Sequence, residues 1–227
     1  MDTPRSTEAE KQKVVRALET ACAIQTAEVR ELAARYGEPV YRACELETDD
    51  YLRARRWRSL PDRRGEVVFA IREPGGHILL HTKLRYERAI YRLPTGGIHL
   101  GESVEHALFR EVEEETGLPV RVRRFVGILD CRFRMNGVAV GFPSYVFYLE
   151  SRCQQVHSVD EDEAASFCGV AVDKLPQIAH QLRNLGGKRR CWGAWRAISH
   201  DLVYEFLRME RGSGWNADRA DGADRRG

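Results

Sequence analysis

The chain has 227 residues with a formal net charge of +2, 43% hydrophobic and 31% charged residues. That is enough for one full domain with an appendage, or two small domains. The near-neutral balance excludes a strong global field toward nucleic acid. No apolar run reaches the ~20 residues that span a bilayer, and no charged-then-apolar N-terminus marks a secretory signal; the expected compartment is the cytoplasm. The six cysteines, Cys22, Cys44, Cys131, Cys153, Cys168 and Cys191, contain no CxxC pair, so they read as free thiols rather than disulfides or a zinc site. Arginine outnumbers lysine 31 to 5. The clusters Arg53 to Arg64, Arg121 to Arg124 and Lys188 to Arg190 suit phosphate recognition, but a solvated face is the preferred reading of each.

Residues 7–36 have helical spacing, with Val14, Leu18, Cys22, Val29, Leu32 and Ala33 recurring, and Gly37 with Pro39 stops the run. Residues 40–62 are mixed and Arg-rich. Glu66 to Ile71 and His77 to His81 read as two strands joined by a Pro74-Gly75-Gly76 turn, a hairpin. Tyr91 to Pro94 is extended and leads into Gly96-Gly97. Ser103 is the expected N-cap of a helix running to Thr116, with Gly117 as its stop. Further strands are expected over Arg121–Arg132, Ser144–Leu149 and Phe167–Val172, then helices over Asp173–Leu185 and Trp192–Arg208. The last residues are polar and rich in Gly, Asp and Arg, a disordered composition. Interspersed strands and helices predict a mixed sheet covered by helices.

The helix after Ser103 carries the chemistry. It ends in Arg110-Glu111-Val112-Glu113-Glu114-Glu115, four glutamates in six positions. At about 100° per residue with Val104 at zero, Leu108 lies near 40°, Val112 near 80° and Ala107 near −60°. Glu111 falls near −20°, Glu115 near 20° and Glu114 near −80°, whereas Glu113 points elsewhere. Three carboxylates therefore take over the apolar stripe and its flank. Partial burial of like charges costs several kcal/mol unless they are paired, and acids at a helix C-terminus oppose the macrodipole. A hard divalent cation suits convergent oxygen ligands; arginine partners on a solvated acidic face are the alternative. Gly96 and Gly97 before the helix read as a glycine loop whose amides approach an anionic ligand, with Glu102 reaching the same place.

Gly96, five residues, Glu102, seven residues, then Arg110-Glu111-Val112-x-Glu114-Glu115-x-Gly117-Leu118 resembles the Nudix box at every fixed position. The likeness extends over about residues 64–205, through the hairpin, Leu93-Pro94 and Val172 to Pro176. It implies an α/β/α sandwich with a mixed β-sheet, arranged as an N-terminal helical extension (1–62), a Nudix domain (63–208) and a disordered tail (209–227). It implies a Mg²⁺- or Mn²⁺-dependent pyrophosphohydrolase that cleaves a nucleoside diphosphate linked to another moiety by water attack on phosphorus. By position, Glu111, Glu114 and Glu115 would hold metal, Arg110 would orient Glu111, and Glu102 would support the site through a water or a second metal. The general base would come from the box or from the downstream acids, with Glu163 chosen first and Glu161 second. Gly96, Gly97 and Arg92 are the candidate substrate contacts, Arg92 standing equally well as a surface residue. Thr95 stands where many members have glycine, so the loop there is expected to differ slightly. Tyr86, Tyr91, Phe142, Tyr145, Trp192 and Trp195 read as packing residues in preference to base-stacking ones, and His99 as solvent-facing. The alternatives are a nucleotide-sensing binding module with the N-terminal helices as effector arm, and an isoprenyl diphosphate isomerase, which lacks a suitably placed cysteine here. The expected partner is a small nucleotide derivative, without membrane or nucleic acid, and the N-terminal helices could pair two copies as a homodimer.

Overall fold

The computed structural model describes residues 22–49, 62–83, 86, 89–135, 138–153 and 166–212. Residues 7–21, Arg53 to Arg58, the acid loop with Glu161 and Glu163, and the tail from 213 lie outside them. In chain order the elements are α1 (Thr26–Tyr36), β1 (Val40–Glu47), β2 (Arg63–Arg72), β3 (Ile78–Thr82), β4 (Thr95–His99), α2 (Val104–Thr116), β5 (Val120–Met135), β6 (Val138–Ser151), β7 (Ser166–Val170), α3 (Leu175–Arg183) and α4 (Arg190–Gly212). The strands form one seven-stranded mixed sheet in the order β1-β5-β6-β2-β3-β7, with β4 also paired to β2. No helix among the described residues is long and apolar enough to cross a membrane.

β2 is central. It runs parallel to β6 and antiparallel to β4, and it is buried almost throughout. A strand covered on both faces reads as a continuous apolar run, which Val67 to Ile71 supplies. Its side chains alternate between two cores. Val67, Phe69 and Ile71 meet Leu32 of α1 and Val104, Leu108 and Val112 of α2. Val68 and Ala70 meet Leu175, Leu182, Trp192, Trp195 and Val203 of α3 and α4. Helices thus cover both faces, the α/β/α sandwich expected, and the hairpin β2–β3 forms where its turn residues place it.

Residues 40–47, read within a helical extension, are instead a strand: β1 runs parallel to β5 from Val40 opposite Gly127 to Glu47 opposite Arg134. The pattern there is half-exposed because β1 is an edge, and only Cys44 and Leu46 pack on the core. Such a strand carries little apolar signal of its own. β5 and β6 also run longer than expected, since a two-stranded hairpin continues by backbone pairing beyond its apolar centre. The six cysteines are free thiols.

Candidate functional site

α2 forms where its ends are capped. Ser103 Oγ accepts from His106 N at 3.1 Å, and Gly117 closes the helix in the left-handed region at φ 58°. Its buried face is Val104, Ala107, Leu108 and Val112, the stripe that the periodicity predicts. A second capping group comes from α1: Glu28 Oε1 accepts the Val104 amide at 2.6 Å. Buried Arg64 holds both Glu28 oxygens at 2.8 and 2.9 Å and also donates to the Glu102 carbonyl. Glu105, in the first turn, bonds Arg35 and Tyr36 of α1. Burial and the Glu105 carboxylate push the Tyr36 hydroxyl up to about 12. Acids at a helix N-terminus also complement its dipole. The sequence carries no local sign of this clamp, because Glu28 lies 76 residues before the amide it meets.

Arg110 is the hub of the other half. Its Nε and Nη2 hold the two Glu102 oxygens at 2.8 and 3.0 Å. Nη1 reaches Glu111 Oε1 and Glu114 Oε2, each at 3.0 Å, and Nη2 also donates to the Gly97 carbonyl at 2.8 Å. All five guanidinium donors are used. Glu102 also accepts from His99 N at 2.9 Å and meets His106 Nδ1 at 2.8 Å. Arg110 first, despite some burial, brings the Glu102 carboxyl down to about 2. With two partners on each oxygen, Glu102 has no lone pair left for direct ligation in this arrangement. It anchors Arg110 instead.

Glu111 is held by the Gly97 amide, N to Oε1 at 2.9 Å, and by Arg110 on the same oxygen. Gly96 and Gly97 are therefore not a loop feeding the helix. They lie in β4, paired with Val67 and Glu66 of β2. Gly96 is bare because a Cβ there would sit 2.0 Å from Glu111 Cδ. Burial raises the Glu111 pKa, with Arg110 pulling the other way. Glu115 is only 3% exposed. Its Oε1 accepts from Lys83 Nζ at 3.1 Å, and its Oε2 has no hydrogen bond, with His81 Nδ1 at 3.6 Å. Burial raises its pKa too, against Lys83 and Arg92. Glu114 is half exposed, and Glu113 is exposed as expected.

The three expected metal ligands thus share one end of α2, but among the described residues no three acidic, imidazole or thiol groups converge on one point. Glu114 turns to Arg110 and Glu115 to Lys83. The donor set still fits a hard cation. It is all carboxylate oxygen, one buried oxygen of Glu115 is orphaned, and the hydrogen bonds to Glu111 from Gly97 and Arg110 both fall on Oε1.

Arg92 is not a surface residue. It is buried, donating to Tyr86 Oη at 3.2 Å, the Leu93 carbonyl at 2.7 Å and Thr95 Oγ1 at 3.0 Å. Thr95 lies in regular strand opposite Val68. Tyr86, Phe142, Tyr145, Trp192 and Trp195 are core, and His99 is exposed. Glu163 and Glu161 lie outside the described residues. Three participants escaped sequence reasoning. Lys83 and Glu28 gave no signal. Arg63 was visible only as one member of a cluster, yet its side chain lies against Gly97, where a Cβ would come within 2.4 Å of its Cδ, and its charge acts on Glu111.

A family model described as NUDIX domain matches residues 62–190. The NAD-capped RNA hydrolase NudC of Pasteurella multocida is 36% identical over 76 residues, covering 34% of this chain and 28% of that protein. The ADP-ribose pyrophosphatase of Methanocaldococcus jannaschii is 30% identical over 103 residues, covering 45% of this chain and 58% of that protein. The RNA pyrophosphohydrolase of Blochmanniella floridana is 41% identical over 49 residues, covering 22% of this chain and 31% of that protein. The chain therefore spans less than two thirds of the length of each of these relatives.

Proposed function

The chain belongs to the NUDIX family, and from that premise we propose that it hydrolyses the diphosphate bond of a nucleoside diphosphate joined to another moiety, with Mg²⁺ or Mn²⁺ at the carboxylate end of α2. One observation carries the proposal. Glu111, Glu114 and Glu115 end α2 with Glu102 beside them, and Glu115 keeps one buried oxygen without a hydrogen bond. A buried carboxylate oxygen without a donor, among other carboxylates, is an arrangement that a divalent cation stabilises.

Glu111, Glu114 and Glu115 would hold the metal, which supplies charge neutralisation on the diphosphate and a bound water of lowered pKa. The chain's own residues do the positioning. Glu102 fixes Arg110, and Arg110 with the Gly97 amide fixes one oxygen of Glu111. Gly96 leaves room for that carboxylate to lie against β4. Glu28 and Arg64 hold the far end of the helix, so its register against β4 does not slide. Arg63 stands beside Glu111 as a cation for a substrate phosphate, with Gly97 as its neighbour. Arg92 acts from beneath, through Thr95 at the start of β4. Glu163 is assigned as the base that takes the proton from the attacking water.

The names of two relatives point to molecules with an adenosine diphosphate unit, NAD-capped RNA and ADP-ribose. ADP-ribose is therefore the first substrate to try. The test is a panel of ADP-ribose, NADH, dinucleoside polyphosphates and nucleoside triphosphates, each with Mg²⁺ and Mn²⁺ in parallel and products identified. The expected result with ADP-ribose is AMP and ribose phosphate, formed only with metal and slowed at least tenfold in Glu114→Gln. Full turnover by Glu114→Gln would remove Glu114 from the metal set. Tight binding of a panel member with hydrolysis of none would make the chain a sensing module.

A further inference from the structure

Cys44 and Cys131 face each other across the outermost strand pair. In the parallel register of β1 and β5 they are direct partners, so both side chains project from the same face of the sheet. Cα atoms so paired are about 4.8 Å apart, the strand spacing, which lies inside the roughly 4.4–6.8 Å window of disulfides. Cys44 Sγ donates to the Arg42 carbonyl at 3.8 Å on its own strand. Cys131 is fully buried in the core under α4, whereas Cys44 is half-buried on the edge strand. Cys168, by contrast, lies opposite Leu80, and Cys153 is exposed.

We propose that Cys44 and Cys131 are a peroxide-sensitive dithiol, a site of reversible disulfide formation that staples the edge strand β1 to β5. Two asymmetries assign the roles. Cys44 is the accessible member, and the neighbouring Cys131 thiol, against the effect of burial and with help from Arg42, brings its thiol down to about 7. The same contact together with burial raises Cys131. Cys44 is therefore the attacking thiolate and Cys131 the resolving thiol. The Cys44 sulfur attacks one peroxide oxygen, the O–O bond breaks, and hydroxide leaves with a proton as water, giving a sulfenic acid. Cys131 then gives up its proton, its sulfur attacks the Cys44 sulfur, the S–O bond breaks, and the second oxygen leaves as water. Two thiols lose two electrons, and one hydrogen peroxide becomes two waters. The bond would tether β1, and through Gly37 to Pro39 the helix α1 whose Glu28 clamps α2.

The test treats the reduced full-length chain with hydrogen peroxide, alkylates the remaining thiols and digests without reductant. The expected product is a Cys44 peptide joined to a Cys131 peptide, two hydrogens lighter than the pair of free thiols, restored by dithiothreitol and absent in Cys44→Ser. Cys44→Ser is the first variant because the position is a half-exposed edge; Cys131→Ala tests the buried partner. In Cys131→Ala the Cys44 sulfur, lacking its resolving thiol, should be recovered as sulfenic or sulfinic acid. Peroxide that oxidises exposed Cys153 while Cys44 and Cys131 both remain alkylatable would overturn the proposal. So would Cys44 over-oxidised in the native chain with Cys131 still free.

Discussion

On one face of the sheet Arg196 meets Glu66 away from water; on the other, Arg110 meets Glu102, Glu111 and Glu114 near its edge. The ingredients are the same and the balance is opposite. Arg196 Nη1 holds both Glu66 oxygens at 2.8 and 2.9 Å, and Ser144 adds a bond at 2.8 Å. Around them are further buried cations, Arg92 and Arg189, stacked on Tyr86 and Trp192, and His200, held neutral by burial at about 3. Burial alone would raise the Tyr86 hydroxyl, but Arg92, Arg196 and Lys83 outweigh it and leave it lowered. This cluster is closed on itself and rich in positive charge. The α2 cluster is open and rich in negative charge. An ion pair by itself therefore says little about function; the uncompensated charge beside it says more.

The sharpest break of that contrast is Glu66→Ala. It leaves Arg196 buried without its carboxylate and should lower unfolding free energy by about 3–5 kcal/mol, read from the denaturant midpoint. Glu111→Gln should do the reverse: stability held or slightly raised, because burial already disfavours the charged form, and ADP-ribose turnover down by about 10²–10³-fold. A stability loss like that of Glu66→Ala would make Glu111 a structural residue. Glu28→Gln, which weakens the grip on Arg64 and the Val104 amide, should cost about 1–3 kcal/mol. It should also speed amide exchange in the first turn of α2 ahead of its last turn, measured by hydrogen exchange.

The smallest effect is in pH. His200 has a folded pKa far below its usual 6.5, so its contribution is complete above about 6.5 and is lost as pH falls toward 3. Glu102, depressed from 4.5 to about 2, loses its contribution only below about 4.5. On acidification the closed cluster should weaken first and the open one later. In His200→Gln, whose amide can accept from Leu93 N and donate to the Arg196 carbonyl, the decline between pH 6.5 and 5 should flatten in urea titrations. An unchanged slope would show that His200 is not its source.

How much was legible depended on range. The hairpin at Pro74-Gly75-Gly76 and the limits of α2 at Ser103 and Gly117 were visible because turn and cap chemistry is local. The wheel ranked Glu111, Glu114 and Glu115 against Glu113 for the same reason, and burial follows it at Glu115, inside, and Glu113, outside, but not at Glu114, which is exposed. Gly96 and Gly97 misled, since a bare backbone serves a crowded strand as well as a loop, and here Glu111 and Arg63 supply the crowding. β1 escaped because an edge strand buries only alternate residues.

By itself the sequence determined the family pattern, the helix and the carboxylates on its face, all set by a period of 3.6 residues and by short-range capping. Arg110 beside Glu111 was legible too, but tertiary structure alone decided the partners that come from other elements. Lys83 reaches Glu115 across 32 residues, Glu28 reaches Val104 across 76, and Arg196 reaches Glu66 across 130. Cys44 meets Cys131 only because β1 chose a parallel register on β5. Such meetings leave no periodic mark along the chain, since packing of whole elements, not the order of neighbouring residues, brings the groups together.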